Sequence, residues 1–177
     1  MSIAGLKLAG VLSLILSGAV AGCSAPPPGP SSGLAERYLL SRSAVFHYRV
    51  PVAWVDHSPT SRNSEVELRL SNQDLTEAIE VREIHRWEDD QQVSAAEEEA
   101  VVRLIAGLDS AGQGEPVGSY EKGGRMYWTY EGKSSSGEPA LVTLVVIAGK
   151  VFEIRSVGLR EGDAGSLHQE FVDALRW

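Results

Sequence analysis

The run from Ala140 to Ala148 constrains this chain more than any other stretch: Leu141, Val142, Leu144, Val145, Val146 and Ile147 leave only Thr143 polar. A strand that is apolar on both faces must be covered on both, so the run predicts a central strand. Gly149-Lys150 suits a tight turn with Gly first. Val151–Val157 then returns beside it, with Phe152 and Ile154 on one face. Upstream, Pro116–Glu121 and Arg125–Glu131 read as a hairpin around Lys122-Gly123-Gly124. Met126, Trp128 and Tyr130 share one face of its second strand; Tyr127 and Thr129 share the other. Gly132–Pro139 reads as a loop with three serines.

The earlier part of the chain alternates in the same way. Val45–Val50 puts Phe46, Tyr48 and Val50 on one face, and Pro51 ends the strand by withholding a donor. Glu65–Leu70 turns Val66, Leu68 and Leu70 inward, and Ser71-Asn72-Gln73-Asp74 has turn chemistry. Ala78–His85 is a third strand whose pattern breaks near Glu83-Ile84, the mark of a bulge. Val55–Ser64 reads as a loop, and Leu34–Ser43 as a short helix or an ordered lead-in. Ser94-Ala95-Ala96-Glu97 is a capping box, followed by an apolar stripe of Val101, Leu104, Ile105 and Leu108. That helix should stop near Ser110-Ala111-Gly112. After a loop at Glu161–Gly165, Ser166 is placed to cap a last helix with the stripe Leu167, Phe171, Leu175.

Runs of strands interrupted by helices in two places predict an α+β domain: an antiparallel meander sheet flanked by helices. The aromatic-rich first strand, Pro51 and Trp54 as Pro-x-x-Trp, the meander, the helix, the long hairpins and the C-terminal helix together resemble the Mog1/PsbP-like α/β/α sandwich. Other members often carry Gly before that Trp, where this chain has Ala53. The resemblance implies a fold found in many small bacterial lipoproteins, with accessory or assembly roles and no fixed activity.

The N-terminus supports a bacterial lipoprotein. Lys7 precedes an apolar run from Leu8 to Val20, and small residues follow, which together make a signal peptide. The run is shorter than the ~20 residues a bilayer span needs. Val20-Ala21-Gly22-Cys23 resembles a lipobox, with Val20 where Leu is usual. The resemblance implies cleavage before Cys23 and lipidation of its thiol with two or three acyl chains such as palmitate. Ala19-Val20-Ala21 also fits ordinary secretion, with cleavage before Gly22. Cys23 is the sole cysteine, so an exported chain offers it no intramolecular disulfide partner. Ser24 stands where an Asp would retain such a protein at the inner membrane; its absence points to the periplasmic side of the outer membrane in a Gram-negative cell. Residues 1–22 thus read as signal peptide, 23–33 as lipidated cysteine and Pro/Gly/Ser tether, and 34–177 as one domain. The prolines at 26, 27, 28 and 30 favour an extended polyproline tether of roughly 25–30 Å.

Without residues 1–22 the chain keeps 15 basic and 24 acidic side chains, a net charge of −9. That argues against nucleic acid and against flat adsorption to anionic headgroups. His47, His57, His85 and His168 have no metal-ligand spacing, so neither a metal nor another cofactor is expected. Gly132-Lys133-Ser134 lacks the first glycine of a phosphate loop, and Ser134–Ser136 lack a nucleophile elbow. The acidic groups Glu88-Asp89-Asp90 and Glu97–Glu99 read as a solvated loop and helix start. Trp54, Trp87, Tyr127, Trp128 and Tyr130 are the candidates for a groove between sheet and helix. The expectation is therefore a non-catalytic, membrane-anchored envelope domain that binds a protein or an apolar ligand. The alternative is an envelope hydrolase whose site has no recognisable motif.

Overall fold

The computed structural model describes residues 33–59, 65–88, 92–109, 118–134, 136–158 and 164–177. The signal segment, Cys23 and the tether to residue 32 lie outside the described residues. So do Asp89-Asp90, the helix end expected at Ser110-Ala111-Gly112, and residues 161–163 of the expected last loop.

The core element is a seven-stranded antiparallel sheet. Its strands are β3 (Val55–Asp56), β4 (Val66–Ser71), β5 (Ala78–Arg86), β6 (Gly118–Lys122), β7 (Arg125–Lys133), β8 (Pro139–Ile147) and β9 (Lys150–Val157), ordered β3-β4-β5-β9-β8-β7-β6. A separate hairpin joins β1 (Leu34–Leu40) and β2 (His47–Pro51). Helix α1 spans Ala95–Asp109 and α2 spans Ala164–Ala174. None of the described helices is long and apolar enough to cross a membrane.

The α+β sandwich follows from how the apolar residues divide. On one face, Leu68, Leu70, Ile79, Val81, Tyr127, Phe152 and Ile154 pack with Phe171, Val172 and Leu175 of α2 and with Phe46 and Tyr48 of the hairpin. On the other, Trp128, Tyr130, Val142, Leu144 and Val151 pack with Val102 and Ala106 of α1. Each fully buried large apolar side chain contributes roughly 1.5–3 kcal/mol, so both layers hold the helices firmly. The C-terminus closes the first layer: Arg176 exchanges backbone hydrogen bonds with His47, and Trp177 meets Phe46 with ring centroids 4.9 Å apart.

The central strand, the bulge at Glu83/His85 and the capping box are as expected. The Ser94 amide and hydroxyl both donate to the Glu97 carboxylate, at 2.8 and 2.7 Å, and the Glu97 amide reaches the Ser94 hydroxyl at 3.4 Å. Other expectations need correction. Leu34–Leu40 is a strand, not a helix, because β2 offers it an antiparallel partner. Val55–Asp56 is a short edge strand on β4 rather than loop. β7 runs on to Lys133 and β8 begins at Pro139, so Gly132, Lys133 and Pro139 belong to strands rather than to the serine loop. The β8–β9 turn is Ala148-Gly149, both with positive φ (48° and 72°), and Lys150 already belongs to β9. Ser166 lies inside α2, which begins at Ala164. The stripe of α1 is rotated: Leu104 and Leu108 are 63% and 75% exposed, while Val102 and Ala106 are buried. Ala53 has φ 66°, a left-handed conformation that costs Ala more than Gly; this explains why Gly suits the position before Trp54.

Candidate functional site

The five candidate aromatics do not line one groove. Trp87, Trp128 and Tyr130 are buried beneath α1. Tyr127 is buried on the opposite face, where Trp54 is partly buried at the edge of the core. Alternation along β7 separates them: Tyr127 stacks on Tyr120 with centroids 5.1 Å apart, toward α2, while its neighbours point toward α1. All five rings serve the two cores.

The accessible feature lies on the α1-side face, along the same rows of the sheet. Arg69 of β4 stands opposite Glu80 of β5, which stands opposite Arg155 of β9; the next two partners in that row are Val142 and Tyr130. The adjacent row runs Arg82, Glu153, Leu144, Trp128. Each row thus changes from charged to apolar between β9 and β8, where the cover of α1 begins.

The charged half is a continuous ladder. Arg69 donates to Glu80 Oε2 through Nε at 2.7 Å and also through Nη2. Arg82 donates to Glu80 Oε1 through Nε at 2.9 Å and through Nη2. Arg82 Nε also lies 3.7 Å from Glu153 Oε1. Arg155 grips Glu153 with Nε and Nη2 at 3.0 and 2.9 Å and donates from Nη1 to the Lys133 carbonyl. Burial pushes the Glu80 carboxyl up, but the hydrogen bonds and charges of Arg82 and Arg69 outweigh it and hold the group below the ordinary carboxylate range.

Above this ladder is a broad open cavity of about 710 Å³. Arg69, Glu80, Arg82 and Arg155 form its floor; Lys133, Ser134, Ser136 and Glu138 on one side, and the β4–β5 turn with Leu75 on the other, form its walls. The turn can approach β9 only because Gly158 lacks a side chain: a Cβ there would meet the Thr76 carbonyl oxygen at 1.8 Å, and φ is +73°. Leu75 is 69% exposed and itself left-handed, with φ 58°.

A second polar cluster lies beneath α2. His168 Nδ1 is 2.7 Å from Ser156 Oγ, and Nε2 is 2.7 Å from Thr143 Oγ1, which in turn is 2.8 Å from Thr129 Oγ1. A serine–histidine contact of this length is the geometry of a nucleophile and its base. Here, however, His168 and Thr143 are wholly buried and Ser156 is 2% exposed. The second ring nitrogen meets a hydroxyl rather than a carboxylate. Burial pushes His168 down to about 4, so near neutral pH the ring is uncharged and joins the two strands to α2. His47 and His57 are exposed, and His85 packs edge-on against Trp87. Among the described residues no group of three metal-ligating side chains is assembled.

The ladder had a sequence signal. Glu80-Val81-Arg82 and Glu153-Ile154-Arg155 repeat a Glu-x-Arg pattern on two strands. Antiparallel pairing sets each Glu opposite the other strand's Arg.

No protein-family model matches the chain, and no curated protein matches it. Among solved structures, the chain is similar to the solution structure of cyanobacterial PsbP (CyanoP) from Synechocystis sp. PCC 6803, at 13% identity. That likeness covers 84% of this chain and 99% of the other at a TM-score of 0.52, and it identifies the fold as PsbP-like.

Proposed function

We propose that this protein is a lipid-anchored, non-catalytic binding domain of the bacterial cell envelope. Cys23 carries the lipid, residues 23–33 form the tether, and the sandwich presents the open half of its sheet to a partner protein. The observation that carries the binding role is the half-sheet that no helix covers among the described residues, whose ladder lines an open cavity. A protein partner suits it better than an apolar ligand, because the candidate aromatics are occupied in the cores. The hydrolase alternative is disfavoured by the burial of Ser156 and His168, which leaves a substrate no approach. In a Gram-negative cell the expected location is the periplasmic side of the outer membrane.

Two measurements on the full-length protein in a bacterial host test this. Intact mass and membrane fractionation should show acyl mass on Cys23 and membrane retention, both lost in Cys23→Ala. A soluble wild type beginning at Gly22 would end the anchored reading. A photo-cross-linking residue at Ser136, beside the cavity, should trap a discrete partner in cells, and one at Leu108 on the outer face of α1 should not. Equal labelling at both positions would remove the half-sheet as the docking surface.

A further inference from the structure

Resting on that reading, we infer that the cavity takes an acidic peptide segment of the partner. The first argument is charge. The whole chain carries −8, yet the floor and walls bring together Arg69, Arg82, Arg155 and Lys133 against Glu80, Glu153 and Glu138. The two central glutamates are saturated: Glu80 accepts from both Arg69 and Arg82, and Glu153 accepts twice from Arg155. The donors are not. Arg69 and Arg82 each bind through Nε and Nη2, which leaves Nη1 without an intramolecular acceptor among the described residues. The Lys133 ammonium, on an exposed residue, is likewise without one. Unused guanidinium donors in a concave surface match carboxylate oxygens, and planar bidentate geometry gives them direction.

The second argument is shape. The floor crosses β4, β5 and β9, which at ~4.8 Å per strand is roughly 10 Å, and Ser134, Ser136 and Glu138 extend it. About four residues of extended chain span such a distance at ~3.3 Å each. Leu75 at the rim adds an apolar contact for one residue of the segment. Its exposure and left-handed backbone are both unusual for Leu, and such outliers collect at binding sites.

The test is fluorescence anisotropy with the full-length protein in detergent micelles. The probes are a labelled alternating Glu/Ala peptide and its Gln/Ala counterpart. The acidic peptide should bind, the amide version should not, and affinity should fall steeply with salt. Lys133→Glu, at a position with no side-chain partner to disturb, should weaken binding about tenfold by converting attraction to repulsion. Arg37→Glu, an exposed charge reversal on β1, should leave it unchanged. Equal binding of the two peptides, or equal loss in both variants, would overturn the proposal. Complete displacement by millimolar phosphate would also overturn it, showing a site for one small oxyanion. If Ser136 traps a partner in cells while the acidic peptide fails to bind, the docking surface stands and its acidic occupant falls. If the peptide binds but Ser136 traps nothing, the chemistry of the cavity stands and the partner reading falls.

Discussion

Two polar clusters occupy the same sheet, and they meet the cost of leaving water in opposite ways. Beneath α2, Thr143, Ser156 and His168 are sealed from solvent and carry no charge near neutral pH. On the opposite face, the Arg69–Glu80–Arg82–Glu153–Arg155 ladder pairs opposite charges; its Glu80, Glu153 and Arg155 side chains are largely buried at 10%, 6% and 13% exposure, while its other two arginines face the cavity. A charge without a partner in a dry interior costs several kcal/mol, so the covered site uses hydroxyls and a neutral ring. The open site keeps its arginines partly wet: Arg69 and Arg82 have side chains 53% and 38% exposed. The lesson is that coverage by a helix, rather than position in the sheet, selects the kind of polar group a strand tolerates.

The largest expected effect tests the covered cluster. Because burial lowers His168 to about 4 from an ordinary 6.5, the unfolded chain takes up the proton first. The associated stability is therefore complete above pH 6.5 and drains away as pH falls toward 4. The loss over that window is about 3 kcal/mol. Urea denaturation at a series of pH values should show it. His168→Leu should abolish the slope in that window, and should itself cost about 2 kcal/mol at pH 7 by leaving the Ser156 hydroxyl unpaired. A wild type with flat stability between pH 6.5 and 4.5 would break the contrast.

The open cluster should respond in a different window and by less. Glu80 is held below its ordinary range, so its contribution is present above the unfolded carboxylate value and fades only as pH drops below it. Glu80→Gln should cost about 1–2 kcal/mol at pH 7, since Arg69 and Arg82 lose their anion but still reach water. Chemical denaturation of the variant at pH 7 and at pH 3 should show the deficit shrinking at the lower pH. The smallest effect belongs to the outer end of the ladder. Arg69→Gln should change stability by about 0.5 kcal/mol or less, which a paired urea titration can resolve. A loss as large as that of Glu80→Gln would mean that the ladder acts as one indivisible unit.

Seven of the nine described strands, the capping box of α1 and the presence of a central strand buried on both faces were legible in the residues alone; β1 and β3 were not. Those features are local: alternation along Leu68–Leu70, the Ser94–Glu97 exchange and the run at Ala140–Ala148 are each written within a few residues, whereas the register shift that sets Val66 opposite Arg82 instead of on the core face is not. Which arc of α1 turns inward was settled by packing against the sheet. Periodicity finds an apolar stripe but does not say what it meets, and Val102 and Ala106 sit against Trp128 and Tyr130 while the larger Leu104 and Leu108 remain outside. Packing also divided the aromatics between two cores, because adjacent residues of β7 face opposite layers. The candidate site was hidden for the same reason. Two Glu-x-Arg triplets more than seventy residues apart acquire meaning only when antiparallel pairing sets Glu80 beside Arg155 and Arg82 beside Glu153.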